Sequence, residues 1–433
     1  MEENLKSVIH RDGTRLSIKL LLIAIISLLL LIPQMLIMNL VDERQSTRNE
    51  AKSELAKSWG MEQHISGPAI IIPMGKDKAD ICLFPENISI TGNLQSQVLK
   101  RGIYDFSVYN APVKLVGEFD CPKELLKYSL ADSSKKRAFL FLGIKDLRGL
   151  SSNVKVVWDG STCEAEPASI VAESPSNNGL VCTIDFNTLL EKGKIQFEIT
   201  LPLRGIDGLY FAPVGNTSTV TLTSDWGDPS FQGNFLPMHR EVSEDGFKAE
   251  WKVLSLNREY GQVATSSTSW HSMMSDSELG VDLCIPIDQY QQTTRTVKYA
   301  LLIIVLTFAV VFFVEVRRKT NVHIVQYILI GIALMLFYTL LLSFSEHIPF
   351  SFSYLISAAM TIGLITTFMG AILKDWKTAL MVGGLLSLLY VFIYVLLQLE
   401  SYALLAGSLG LFAILAVAMY ATVKLRKEQG SDQ

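Results

Sequence analysis

Five cysteines and six histidines carry most of the chemical versatility of this 433-residue sequence. Cys82, Cys121, Cys163, Cys182 and Cys284 offer thiols for metal ligation, nucleophilic attack or disulfide formation. Zinc ligation would need Cys-x-x-Cys or a comparable Cys/His spacing, and none occurs, so no metal site is expected. The count is odd. In an oxidising compartment a disulfide is allowed, and Cys163 and Cys182 flank a Ser/Pro/Asn-rich segment that could bring them together; buried free thiols are the plainer expectation. His10, His64, His239, His271, His323 and His347 are scattered. His-Glu-x-x-His, Gly-x-Ser-x-Gly and the phosphate-cradling glycine motifs are all missing. Serine and aspartate surround His239 and His271, but such residues are abundant in any polar domain and do not define a triad. No catalytic residue and no cofactor is therefore expected, and the reading is non-enzymatic.

Three other groupings are candidates for contact rather than catalysis. The segment 226–237, WGDPSFQGNFLP, sets Trp226, Phe231 and Phe235 among the turn formers Gly227, Pro229, Gly233 and Pro237. Rigid aromatic side chains make strong contact anchors, so this is either a recognition loop or, the preferred reading, a loop folded back to seal a core. Glu346-His347 is an acid/imidazole pair beside an apolar run, suited to capping or to sensing pH. In 288–299, Gln291, Arg295, Lys298 and Tyr299 fall on neighbouring helical turns as the chain enters another apolar run, a pattern of interfacial anchoring or of coupling.

Apolar runs determine what must position these residues. A hydrocarbon core roughly 30 Å thick needs about 20 consecutive apolar residues in a helix, because no water is present there to satisfy the backbone. Six stretches qualify: 18–40, 300–316, 324–344, 352–373, 378–399 and 402–423. The first is too long for a signal peptide and reads as an uncleaved anchor, bent near Pro33, where a helical hydrogen bond is missing. Between spans, Lys and Arg concentrate in the tail 1–17, in 317–319, at Lys374 and Lys377, and in the tail 424–433, whereas the loops 345–351 and 400–401 have none. Basic loops stay inside, so both termini are expected in the cytoplasm and residues 41–299 outside it. Away from their ends the spans contain no ionisable residue, which argues against a proton- or ion-driven transporter. Small residues step along Ala359, Gly363, Thr367 and Ala371, and along Ala406, Gly410 and Ala413, at the spacing of helix contacts.

The exported section is acidic, with 26 Lys/Arg against 33 Asp/Glu over residues 41–298. That balance disfavours nucleic acid, whose phosphates require a basic surface. Residues 41–60 have helical spacing, with Ala51, Leu55 and Trp59 on one face and Gly60 as a stop; as a free stalk they would reach about 27 Å. The period then changes to two. Ile195, Phe197, Ile199 and Leu201, and likewise Phe247, Ala249, Trp251 and Val253, alternate with polar residues as half-buried strands do. Further strands are expected near 69–73, 81–84, 138–144, 154–158 and 219–223, with one short helix near 122–130. The expected domain is an antiparallel β-sandwich of one or two lobes.

Scattered motifs across nearly the whole chain resemble the CreD family of bacterial inner-membrane proteins. They are Leu30 to Pro33, Trp226, Pro229-Ser230-Phe231, Gly233, Phe235-Leu236-Pro237, Arg240-Glu241-Val242, Gly246-Phe247 and Trp251. The series continues at Asp288-Gln289-Tyr290-Gln291, Thr293, Arg295, Lys298-Tyr299, His323, Gln326-Tyr327 and Ser345-Glu346-His347. The resemblance implies an α+β membrane protein of the Gram-negative inner membrane, with one N-terminal and five C-terminal transmembrane helices. A large β-rich, sandwich-like periplasmic domain follows the first helix. It also implies a role in envelope integrity and stress responses, with the lipid bilayer and an envelope component as partners, and brings no catalytic residues. Movement of a lipid or hydrophobic solute, and a membrane-bound periplasmic hydrolase, are the alternatives.

Overall fold

The computed structural model describes residues 17–73, 80–121, 137–170, 179–265, 277–284, 289–318, 320–399 and 402–431. The chain forms two compact units, Arg48–Pro286 on one hand and Met1–Thr47 with Ile287–Gln433 on the other. The first helix, α1 (Ser17–Trp59), runs from the apolar anchor into the polar extension. Gly60, at φ +117°, stops it, as its sequence position suggests. The last turns of α1 are docked rather than free-standing: Ala51, Leu55, Ala56 and Trp59 pack on Phe106, Val108 and Ile206, and the Arg204 guanidinium lies 5.3 Å over the Trp59 ring. Lys52 pairs with Asp207, and Arg101 with Glu54 at 3.0 Å.

Strands follow in the order β1 (Gln63–Ile72), β2 (Ile81–Leu83), β3 (Asn87–Arg101), β4 (Tyr104–Asp120), β5 (Arg137–Ile144), β6 (Lys155–Trp158), β7 (Ser161–Cys163) and β8 (Glu166–Pro167). After them come β9 (Leu180–Asp185), a short helix α2 (Phe186–Lys192) capped by the Asp185 carboxylate, β10 (Lys194–Ile206), β11 (Gly208–Phe211) and β12 (Thr217–Ser224). The last are β13 (Pro229–Gly233), β14 (His239–Ser243), β15 (Gly246–Leu254), β16 (Val263–Thr265) and β17 (Leu279–Leu283). One sheet has the order β13-β17-β11-β1-β5-β9-β8, with β2 and β16 appended to β1; the other runs β14-β15-β12-β3-β4-β10-β6-β7. Alternate residues of β10 and β15 are buried in a single core to which both sheets contribute, including Phe197, Trp251, Phe141, Phe211 and Val281. Every strand expected from alternation is present.

The sandwich is not wholly antiparallel, contrary to expectation: β1 runs parallel to β11, and β3 parallel to β12. Parallel neighbours need long connections, and here the intervening strands, which pair elsewhere, supply them. Alternation specifies which face is buried and leaves direction open. The long strands β3 and β4, at 15 and 17 residues, were not anticipated, because each carries polar or half-exposed residues along much of its length. The helix expected near 122–130 lies outside the described residues.

In the second unit, α3 (Gln289–Lys298) leads into α4 (Ala300–Arg318), followed by α5 (Ile324–Ser345), α6 (Phe350–Leu373), α7 (Trp376–Gln398) and α8 (Ala403–Ser431). Helices α1, α4, α5, α6 and α7 are long and apolar enough to cross a membrane, and α8 contains the apolar stretch Leu404–Val417. All six expected spans are therefore helical. The ladder of α1 is irregular at Leu30, just ahead of Pro33. One packing expectation fails. Ala359, Gly363, Thr367 and Ala371 are exposed, whereas α6 packs through Tyr354, Ser357, Thr361, Ile365 and Met369 on an adjacent stripe. Spacing defines a stripe on a helix but not which stripe meets a neighbour. Gly410 does make a close approach, since a Cβ there would lie 2.2 Å from the Phe392 ring of α7.

Candidate functional site

The motif segment 226–242 builds one edge of the sandwich and has two faces. Its aromatic side points inward. Phe231 meets the rings of Phe247 and Trp251 edge-on at 5.7 and 5.8 Å, Phe235 accepts the Trp251 indole N–H through its carbonyl at 3.0 Å, and the Trp226 indole donates to the Cys284 carbonyl at 3.0 Å. Trp226, Phe231 and Phe235 are all half-buried against the core. The sealing reading is thus what the geometry displays. Pro229 opens β13, where its missing amide N–H is tolerated at a sheet edge, and Gly233 closes it at φ +98°. Beyond half-buried Pro237, β14 is an exposed edge strand; Val242 within it is 51% exposed, and Leu236 and Met238 just ahead of it are 74 and 61% exposed.

The other face of β13 borders a charged row that no local signal disclosed. Cα register sets His64, Tyr210, Gly280 and Gln232 side by side across β1, β11, β17 and β13, and sets Asp282 beside Ser230 in the neighbouring row. His64 stacks on Tyr210 at 4.7 Å, and the Tyr210 hydroxyl donates to Asp282. The His64 ring lies between two carboxylates, 2.6 Å from Glu278 at Nδ1 and 3.0 Å from Glu62 at Nε2. Burial opposes its charge, yet the hydrogen bonds to Glu278 and Glu62 outweigh that and raise the pKa from 6.5 to about 9. The His64 hydrogen bond in turn holds Glu62 below the usual carboxylate range. Burial lifts Asp282 above it. At neutral pH His64 is an imidazolium with both N–H groups committed, so it has no lone pair with which to act as a base. Among the described residues, no group of three His, Cys, Asp or Glu is arranged to hold a metal ion.

This pairing makes stability depend on pH. The folded ring keeps its proton to higher pH than the unfolded one, so its contribution is full below pH 6.5 and is lost as pH rises through about 9. Partial exposure limits the effect to about 1–2 kcal/mol. The unfolding free energy should fall by that much more between pH 7 and pH 10 for the native chain than for His64→Gln. Equal losses in the two proteins would refute the assignment.

The remaining candidates fall elsewhere. Asp288 and His271 lie outside the described residues, and His239 is an exposed residue at the start of β14. Gln289 opens α3; Tyr290 and Val297 are buried in the helical unit, and the Val297 carbonyl accepts from the Gln34 side chain at 3.0 Å. Arg295 is half-buried, Lys298 exposed, and Tyr299 packs on the bundle core, so this junction helix anchors to the bundle. Glu346 pairs with Arg44 of α1 at 3.5 Å, while His347 is exposed in the turn after α5. His323 caps α5 through a reciprocal hydrogen-bond pair with Gln326. At the other end of the bundle, Glu315 pairs with Lys19, and Arg318 pairs with Asp375 at 2.9 Å.

A bundle of apolar helices with a β-sandwich inserted after its first member defines a multi-pass membrane protein with one large extramembrane domain. The sequence profile described as "Inner membrane protein CreD" matches residues 15–427. The chain is 31% identical over 427 residues to a protein named "Inner membrane protein CreD" from Escherichia coli strain K12, covering 91% of this chain and 90% of that one. The chain therefore belongs to the CreD family of inner membrane proteins.

Proposed function

We propose that the chain is a non-enzymatic inner-membrane protein supporting envelope integrity, whose periplasmic sandwich engages an envelope component through the edge strand β14. The observation that carries this is the division of the motif segment. Its aromatics are used up in sealing the core, whereas Leu236, Met238 and Val242 stay exposed along an edge with no further strand beside it among the described residues. Natural sheets cover or blunt such edges, and an extended partner segment adds to one readily. Two ion pairs from basic residues, Lys19 with Glu315 and Arg318 with Asp375, gather at one end of the bundle, which supports cytoplasmic termini. The doubly paired His64 supports a structural rather than a catalytic network.

Photo-crosslinking residues placed at Leu236, Met238 and Val242 in intact cells should capture one defined envelope component, with inward-facing Phe231 as the negative control. Met238→Asp with Val242→Asp should fold normally and fail to restore envelope integrity in cells lacking the native chain. Full restoration by that variant, or substrate hydrolysis by the purified full chain, would overturn the reading. A second reading, movement of a lipid or hydrophobic solute, is favoured by buried hydroxyls of Thr307, Tyr338, Ser357, Thr366 and Tyr390 without hydrogen-bond partners among the described residues. Liposomes containing the protein would test it by exchange of labelled lipid.

A further inference from the structure

The sandwich is closed at one edge by the aromatic residues of β13, and at its opposite edge two thiols meet. Cys163 ends β7, the last strand of one sheet, and Cys182 lies in β9, next to the last strand of the other. The Cys163 thiol stands 3.6 Å from the carbonyl oxygen of Thr183, the residue that follows Cys182 in β9. Cys182 is buried and Cys163 half-buried. The remaining cysteines are placed differently: Cys82 is enclosed in the core, while Cys121 and Cys284 sit in other parts of the domain. Burial pushes those three thiols up, whereas the hydrogen bond with Cys182 moves Cys163 down. Thiolate character is what starts thiol–disulfide exchange.

We propose that Cys163 and Cys182 form a disulfide stapling the two sheets together, made by exchange with an oxidising disulfide-bearing protein of the periplasm. This rests on the export reading given above. The Cys163 thiolate attacks one sulfur of the carrier's disulfide, forming a mixed disulfide, and the second carrier sulfur leaves as a thiolate that takes up a proton. Cys182 then loses its proton and attacks Cys163 Sγ, the mixed disulfide breaks, and the first carrier sulfur leaves and is protonated. Two thiols of this chain become one disulfide, and the carrier disulfide becomes two thiols. The bond would close a loop through 164–181, which limits the freedom of the unfolded chain.

The test uses the full chain in its own membrane. Cells are quenched in acid, thiols are blocked with N-ethylmaleimide, and the purified protein is digested with and without reductant for mass mapping. A Cys163–Cys182 cross-linked peptide that disappears on reduction is the expected result. Recovery of both cysteines as separately alkylated peptides, or of either joined to a third cysteine, overturns the proposal. Reduction should also lower the thermal midpoint of the native chain by about 5–10 °C and leave that of Cys163→Ser unchanged; an equal shift in both would overturn it. A membrane-impermeant maleimide applied to spheroplasts separates the two failures. Labelling of exposed Cys284 from outside, with Cys163 and Cys182 both free, sinks the disulfide alone, whereas labelling only after membrane rupture sinks export and the disulfide with it.

Discussion

Replacing Glu315 by Leu should destabilise the full chain by about 3–5 kcal/mol, one of the largest effects expected of any single substitution in the helical unit. Glu315 is buried near the end of α4 and serves three partners at once. Its carboxylate pairs with Lys19 of α1, accepts the Tyr327 hydroxyl of α5 at 2.9 Å and accepts the Val322 amide N–H at 3.1 Å. Lys19 donates further to the Val322 carbonyl at 2.6 Å, so the pair joins three helices. Removing the acid strands a half-buried ammonium, a hydroxyl and an amide in an apolar setting, and each then bears its desolvation cost. The cost arises from the unmatched charge more than from the lost attraction. Lys19→Met combined with Glu315→Leu should therefore recover most of the loss, bringing the variant to within about 1–2 kcal/mol of the native chain. Unfolding midpoints in detergent would measure both. A double variant as damaged as the two single ones summed would show that the pair is not the unit described here.

Gly233→Ala should be comparably severe in the other unit. Gly233 sits at φ +98°, and a Cβ would stand 2.2 Å from the Glu278 carbonyl oxygen and 2.9 Å from Leu279 Cα, both backbone atoms at the start of the adjoining β17. Neither can retreat as a flexible side-chain tip would. The strand must lift, which withdraws Phe231 from Phe247 and Trp251, so about 3 kcal/mol or more is expected from strain and lost packing together. Phe231→Ala should cost a similar amount through the cavity alone. Because both act on the seating of β13, the double variant should lose clearly less than the sum. Thermal unfolding followed by tryptophan fluorescence reads this directly, and a Gly233→Ala protein that melts with the native one would remove β13 from the account. Glycine at position 233 thus has a steric reason: only a residue without a side chain lets the edge strand close.

How far the residues announce the architecture can be judged element by element. Spans and strands with strong alternation were legible because each depends on a periodicity contained within about 20 residues. The stop at Gly60 was legible for the same reason, as was the inward use of the aromatic segment. The exposed stripe on α6 was not, since Ala359 and Gly363 carry the same spacing whether they face lipid or a helix. Nor was the docking of the α1 extension, whose partners Phe106 and Ile206 lie far along the chain in strands of a different rhythm.

Alone, then, the order of residues determined which segments cross the membrane, which section lies outside the bundle, and that alternating strands build a core there. Hydrophobic burial and backbone satisfaction impose those outcomes locally, so they can be read locally. Only the tertiary structure decided that β1 and β11 run parallel, bringing His64 against Glu278 across 214 residues. It alone brought Lys19 to Glu315. Each of those meetings depends on which strands or helices become neighbours, and that choice is made by the packing of the whole unit, which no short stretch of residues encodes.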